Sequence, residues 1–193
     1  MPITSLCLFC GSRSGTDPAH AATARDLGAW CAANNIRLVY GGGGIGLMGE
    51  TARACLAGGG EVVGVIPRLL MREEVAQVGL TEMHVVESLH ERKMLMHDLA
   101  DAVIALPGSI GTLDELFEAM TWRELGIHDK PIYLLGASDY WAPFMALLAH
   151  LDQEGFAPPD LMRLAEPVDS LDALATRLLA EPSPRKAARD IVP

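Results

Sequence analysis

Short apolar runs alternate with amphipathic stretches along nearly the whole chain. Six runs have the length of strands: "ITSLCLF", "IRLVY", "EVVGVI", "MHVV", "AVIAL" and "PIYLL". Between them, apolar residues recur at helical spacing over residues 18–34, 47–57, 89–100, 112–125 and 140–154. Strands that are apolar on both faces and separated by helices predict a parallel sheet covered on both sides. The expected architecture is a Rossmann-like, doubly wound α/β domain with right-handed crossovers. No repeat or linker divides it, so residues 1–181 read as one domain. After Gly155, "GFAPPD" opens an extension with a further helix over 171–179, and residues 182–193 read as a frayed tail.

Composition narrows the choice of partner. The chain has 193 residues and half of them are hydrophobic, enough for a sizeable core, yet no apolar run reaches membrane-spanning length. The start, "MPITSLCLFCGSRSG", lacks the basic opening and cleavage site of a secretion signal, so a cytoplasmic location is expected, away from membranes. A formal charge of −10 disfavours a nucleic-acid polymer, which is bound by neutralising phosphates, but allows a small nucleotide in a local pocket. Cys7 and Cys10 are spaced so that a strand sends them to opposite faces. With Cys31 and Cys55 they read as buried structural thiols. "HERKM" carries Met94 where a zinc-binding helix needs a second histidine, so no metal site is expected.

Ligands of such sheets bind at the carboxyl ends of the strands, and two glycine-rich loops fall there. In "YGGGGIGLMGE", Gly44, Gly46 and Gly49 satisfy G-x-G-x-x-G, and Gly43 precedes them; the loop is expected to contact an anion. A nicotinamide site is disfavoured, because "EVVGVIPR" ends in Pro67 and Arg68 where an acid is needed for the ribose. In "LPGSIGT", Gly108 and Gly111 free the backbone, the N–H groups of residues 109–112 can face a phosphate, and Thr112 either caps the helix or binds that phosphate. The plainer reading is a capped turn in which Asp114 and Glu115 favour the helix dipole.

The helix between the loops adds a charge. "SLHERKMLMHDLA" opens with a capping box, Ser88 and Glu91, and sets Leu89, Leu95, Met96 and Leu99 on one stripe with Arg92 in its middle. An arginine there must snorkel or find an anion. A structural salt bridge, Glu115 and a bound phosphate are all candidate partners.

Together these residues resemble the LOG family, the cytokinin riboside 5′-monophosphate phosphoribohydrolases long labelled possible lysine decarboxylases. The family signature is P-G-G-x-G-T-x-x-E with an upstream R-K pair. Here "PGSIGTLDE" occupies residues 107–115 and the pair is Arg92–Lys93. The likeness extends through "FCGSRSGTDP", "LVYGGGGIGLMGE", "GGEVVGVIP" and "TWRELGIHDKPIYLL", leaving only the last thirty or so residues outside it. It implies hydrolysis of the N-glycosidic bond of a nucleoside 5′-monophosphate, such as AMP or a cytokinin riboside 5′-monophosphate, with no cofactor. It also implies a homodimer. By the same resemblance Arg92 and Glu115 are catalytic. Lys93, Ser109, Gly111 and Thr112 bind substrate, joined by Glu74 in "REEVAQVG" and Thr121 in "MTWRELG". The older label meets a chemical objection: decarboxylating lysine needs a cofactor such as pyridoxal phosphate on a lysine, and Lys93, Lys130 and Lys186 sit in no such context. Two positions depart from the family, Ser109 for the second glycine and Asp114 for the first of two acids. If the backbone requires positive φ at residue 109, serine there costs about 1–3 kcal/mol; alternatively its hydroxyl adds a donor to the phosphate.

The chemistry resolves the presence of acids beside an anion loop. Breaking the bond builds positive charge on the ribose. Glu115 would stabilise that charge or activate water, while the loop holds the 5′-phosphate and Arg92 keeps Glu115 ionised. His128 and Asp129 are candidates for protonating the leaving base. The alternative from another class is a non-catalytic nucleotide-binding or carrier module, with Arg92 and Glu115 as a structural pair.

Overall fold

A computed structural model describes residues 3–72, 74–136, 138–158 and 160–180. The strands are β1 (Ser5–Phe9), β2 (Arg37–Tyr40), β3 (Val62–Pro67), β4 (Glu82–Val86), β5 (Ala102–Ala105), β6 (Ile132–Leu135) and β7 (Glu166–Val168). The α-helices are α1 (Pro18–Ala33), α2 (Gly46–Ala57), α3 (Leu89–Asp98), α4 (Ile110–Glu124), α5 (Ser138–Gln153) and α6 (Leu171–Ala180). They form the expected α/β fold, with strand order β4-β3-β2-β1-β5-β6-β7 and every neighbouring pair parallel.

Alternation along each strand divides the core. Leu6, Leu8, Leu38, Tyr40 and Ile104 face α1, α2 and α6, with Leu27, Cys55 and Leu174 among their partners. Cys7, Phe9, Val39, Val65 and Val103 face the opposite layer, where Met96, Leu116, Trp141 and Leu148 cover them. Cys7 and Cys10 therefore lie on opposite sides, and all four cysteines are buried free thiols.

Six strands were expected and seven are present among the described residues. The seventh, "EPV", is three residues long and contains Pro167, a residue tolerated in a strand only where the ladder ends. It pairs with β6 at the sheet's margin. The apolar stripe expected on α3 is only partly real. Met96 is buried and Leu95 and Leu99 pack against the core, but Leu89 is 48% exposed, and Arg92, Lys93 and His97 turn inward instead. The capping box forms in one direction: Ser88 accepts from the Glu91 amide, while the Glu91 carboxylate reaches the amide of Glu87 rather than that of Ser88.

The strand order reverses between β1 and β5, and a crevice opens above that point, outside the carboxyl ends of the strands. The turns after β1, β2 and β5 meet there.

Candidate active site

The cleft is lined by Leu8 of β1, Cys10, Gly11 and Ser12 after it, Gly41 after β2, Met48 of α2, Glu74, Arg92 of α3, and Ser109, Gly111, Thr112 and Glu115 at the start of α4. Arg92 is 5% exposed and held from several sides: Nε donates to the Val65 carbonyl at 3.2 Å and Nη2 to the Gly41 carbonyl at 2.9 Å. Both terminal nitrogens also donate to Glu74, Nη2 at 2.9 Å and Nη1 at 3.4 Å. Only a glycine fits at 41, because a Cβ there would stand 2.0 Å from Nη2. The main anionic partner of Arg92 is thus Glu74. Glu115 stands farther off, its carboxylate 4.0 Å from Nη1.

That arrangement alters the expected electrostatics. Burial, the largest influence, pushes the Glu115 carboxyl up to about 7. Arg92 pulls the other way, while Glu74 and Asp114 add to the rise. Arg92 therefore does not hold Glu115 fully ionised, because burial outweighs its pull. A carboxyl near 7 is poised to take or give a proton at neutral pH.

Helix α4 begins at Ile110, two residues earlier than expected, with Ser109 at the N-cap. Thr112 therefore lies inside the first turn, buried and on the cleft, and is not the cap. Ser109 makes no capping bond and sits at φ −111°, an ordinary extended angle without the strain considered for it. The first amides of a helix have no intrahelical acceptor, and Ser109, Gly111 and Thr112 of this turn border the cleft. A Cβ at Gly111 would meet nothing within 4 Å, so the space before this turn is open to a ligand.

Other expected residues stand elsewhere. Gly43 bridges Ala76, and the Gly44 amide donates to the carbonyls of Glu74 and Val75 at 3.0 and 2.8 Å. Gly46, at φ 57°, lies against the backbone of Ser12 and Arg13. This loop braces the segment that carries Glu74, and the Gly44 amide is taken up within the protein. Lys93 donates to Asp114 at 3.0 Å and pairs with Glu118, tying α3 to α4 beside the cleft. Burial opposes its charge, but those two carboxylates outweigh it and its pKa rises. Thr121 donates to the Phe117 carbonyl and lines a separate groove with Phe156 and Leu161. His128 follows α4, but its ring turns back to the Ala119 carbonyl, about one helical turn beyond Glu115, outside the residues that line the cleft; burial draws it down to about 4. Neither His128 nor Asp129 is placed to protonate a leaving group in the cleft.

Sequence reasoning missed Cys10, Gly11, Ser12, Gly41 and Met48 as lining residues. For Cys10, Gly11, Ser12 and Gly41 the one available signal was position, just past the ends of β1 and β2; Met48, in the first turn of α2, gave none.

Residues 48–178 match the family described as "Possible lysine decarboxylase". A cytokinin riboside 5′-monophosphate phosphoribohydrolase from Rhodococcoides fascians is 46% identical over 156 residues, 80% of this chain and 79% of the relative. One from Arabidopsis thaliana is 41% identical over 173 residues, 90% of this chain and 81% of the relative. The chain belongs to the LOG family. The fold of this LOG protein also resembles a molybdenum cofactor binding protein from Rippkaea orientalis, with a TM-score of 0.68 at 20% identity, covering 92% of this chain and 96% of that one. At that identity the likeness is one of fold. The decarboxylase wording finds little support in the LOG protein's described lysines: Lys93 is held by two carboxylates, and Lys130 donates to the His97 carbonyl at the opposite end of the sheet.

Proposed function

We propose that the protein is a phosphoribohydrolase that converts a nucleoside 5′-monophosphate, AMP or a cytokinin riboside 5′-monophosphate, into free base and ribose 5-phosphate. The observation that carries the reading is the placement of Glu115. A buried carboxyl with a pKa near 7 lies one helical turn from open backbone amides in the same cleft. The names of relatives at 41–46% identity support the same reaction.

In this reading the amides and side chains of Ser109, Gly111 and Thr112 hold the 5′-phosphate and set the ribose over Glu115. The C1′–N bond breaks with its electron pair leaving on the base. A water oxygen bonds to C1′ and gives its proton to Glu115, and the base takes a proton from solvent. Ionised Glu115 also stabilises the positive charge that develops on the sugar. Arg92 touches substrate from the floor of the cleft, and Glu74 fixes its guanidinium. Gly43, Gly44 and Gly46 support Glu74 from behind, and Lys93 keeps α3 and α4 in register. The reaction needs no cofactor.

The proposal extends to assembly and setting. Phe117, Leu125, Leu147 and Phe156 are 36%, 67%, 45% and 82% exposed, an apolar surface that supports a homodimer. Thr121 borders it and would meet substrate only in such an assembly. Four buried free thiols, a charge of −10 and a small-nucleotide substrate fit a cytoplasmic enzyme that binds neither membrane nor nucleic-acid polymer.

The test is to incubate the protein with AMP and with isopentenyladenosine 5′-monophosphate, assaying ribose 5-phosphate and base. Glu115→Gln, Arg92→Ala and the dephosphorylated nucleosides serve as controls. Product from the monophosphates alone, lost in both variants, is expected. Bound but unconsumed nucleotide would overturn the enzyme reading in favour of a carrier.

A further inference from the structure

We propose that Tyr140 is a positioning residue for the substrate phosphate, acting from α5 through the backbone of Gly108. The inference rests on the reading that the start of α4 anchors a 5′-phosphate.

The backbone between β5 and α4 is held at two points before it reaches the cleft. The Pro107 carbonyl accepts from the Gly11 amide at 3.0 Å, which ties the turn after β5 to the turn after β1. One residue on, the Tyr140 hydroxyl accepts from the Gly108 amide at 2.9 Å and donates to the Gly108 carbonyl. A single side chain therefore satisfies both backbone groups of that residue. A phenolic hydroxyl can act as donor and acceptor together, which neither phenylalanine nor any aliphatic residue can do.

The consequence falls on the next residues. With Gly108 engaged on the α5 side, the backbone enters Ser109 and the first turn of α4 in one orientation, amides toward the cleft. The packing is close: a Cβ at Gly108 would come within 2.0 Å of the Thr112 Oγ1 and 2.9 Å of the Gly11 nitrogen. A small rotation of the Gly108 peptide would thus disturb Thr112 as well as the amides. The ring of Tyr140 is itself set by edge-on contacts with Trp141 at 5.0 Å and His20 at 5.7 Å between centroids. Among the described residues helix α5 contributes none to the cleft lining, yet it determines where the phosphate donors point.

Tyr140→Phe keeps the ring and removes only the hydroxyl. Steady-state hydrolysis of AMP, inhibition by ribose 5-phosphate and inhibition by adenosine would be compared between wild type and this variant. Weaker phosphate anchoring raises KM for AMP roughly tenfold and leaves kcat within about threefold. Inhibition by ribose 5-phosphate weakens by a similar factor, and inhibition by adenosine, which lacks the phosphate, stays as in wild type. Leu148→Ala, which opens a cavity deeper in α5 without touching the loop, lowers Tm with KM unchanged, separating the clamp from general loss of stability. Unaltered binding of both phosphate ligands to Tyr140→Phe would overturn the proposal. So would an equal weakening of adenosine. Should the wild type hydrolyse no nucleotide, the hydrolase reading fails on its own; calorimetric titration of ribose 5-phosphate into both proteins still decides the role of Tyr140.

Discussion

Arg92 meets the carboxylate of Glu74 through both terminal nitrogens, at 2.9 and 3.4 Å, while Glu115 waits 4.0 Å from the same guanidinium. One buried cation serves two partly buried carboxylates, and it serves them unequally. The closer acid orients the arginine. The farther one is left with a proton affinity suited to chemistry.

Removing the cation should harm folding as well as turnover. Arg92→Ala leaves two carboxylates facing each other in a buried cleft and frees the Gly41 and Val65 carbonyls. Breaking a buried pair in this way costs about 3–5 kcal/mol. A large drop in the urea midpoint, together with loss of base release from AMP, is expected. A variant as stable as wild type would show that the guanidinium contributes little to the fold.

Glu115 links activity to stability with opposite signs. Its folded pKa, about 7, lies above its ordinary value of 4.5, so the folded state binds the proton more tightly than the unfolded chain does. Its contribution to stability is present below pH 4.5 and is lost as pH rises through 7. Activity that needs the carboxylate should instead rise over the upper part of that window. Glu115→Gln is therefore expected to abolish turnover and to raise Tm more at pH 8 than at pH 5. Thermal melts at the two pH values check this directly.

Glu74 adds negative charge beside Glu115 and so raises its pKa. Glu74→Gln removes that charge and lets Arg92 turn toward Glu115. The acidic limb of the kcat/KM profile should move to lower pH, with reduced kcat because the guanidinium is less well fixed. A limb that stays in place would mean that Glu74 does not act through Glu115.

Ser109 departs from the family glycine without backbone strain, at φ −111° and with no capping bond. Ser109→Gly should change stability by less than about 0.5 kcal/mol, as glycine is nearly as good an N-cap. If the hydroxyl donates to phosphate, KM for AMP should rise about two- to fivefold, in line with one neutral hydrogen bond. An equilibrium melt and a substrate titration separate the two effects.

The parallel sheet and its helices were legible because six strands are short apolar runs and the helices between them have their own periodicity. The order of the strands was not, and neither was β7, with its Pro167. Nor was the pairing inside the cleft. Glu74 reaches Arg92 because the chain after β3 folds back along the first glycine loop, where Gly43 bridges Ala76 and the Gln77 amide donates to the Gly42 carbonyl. No local pattern encodes that contact. The buried face of α3 was misjudged at Leu89 for a related reason: an ion-paired arginine and lysine took inward positions that hydrophobicity alone assigns to leucine. Tyr140 gave no warning either, since a tyrosine on an amphipathic helix reads as packing.

The first glycine loop has a consequence for ligand size. A dinucleotide site needs empty space above its glycines, because the pyrophosphate lies on the bare backbone. Above Gly43 and Gly44 that space is already filled by residues 74–77 of the same chain. The protein fills that seat with its own chain, so the first glycine loop has no room to carry a pyrophosphate.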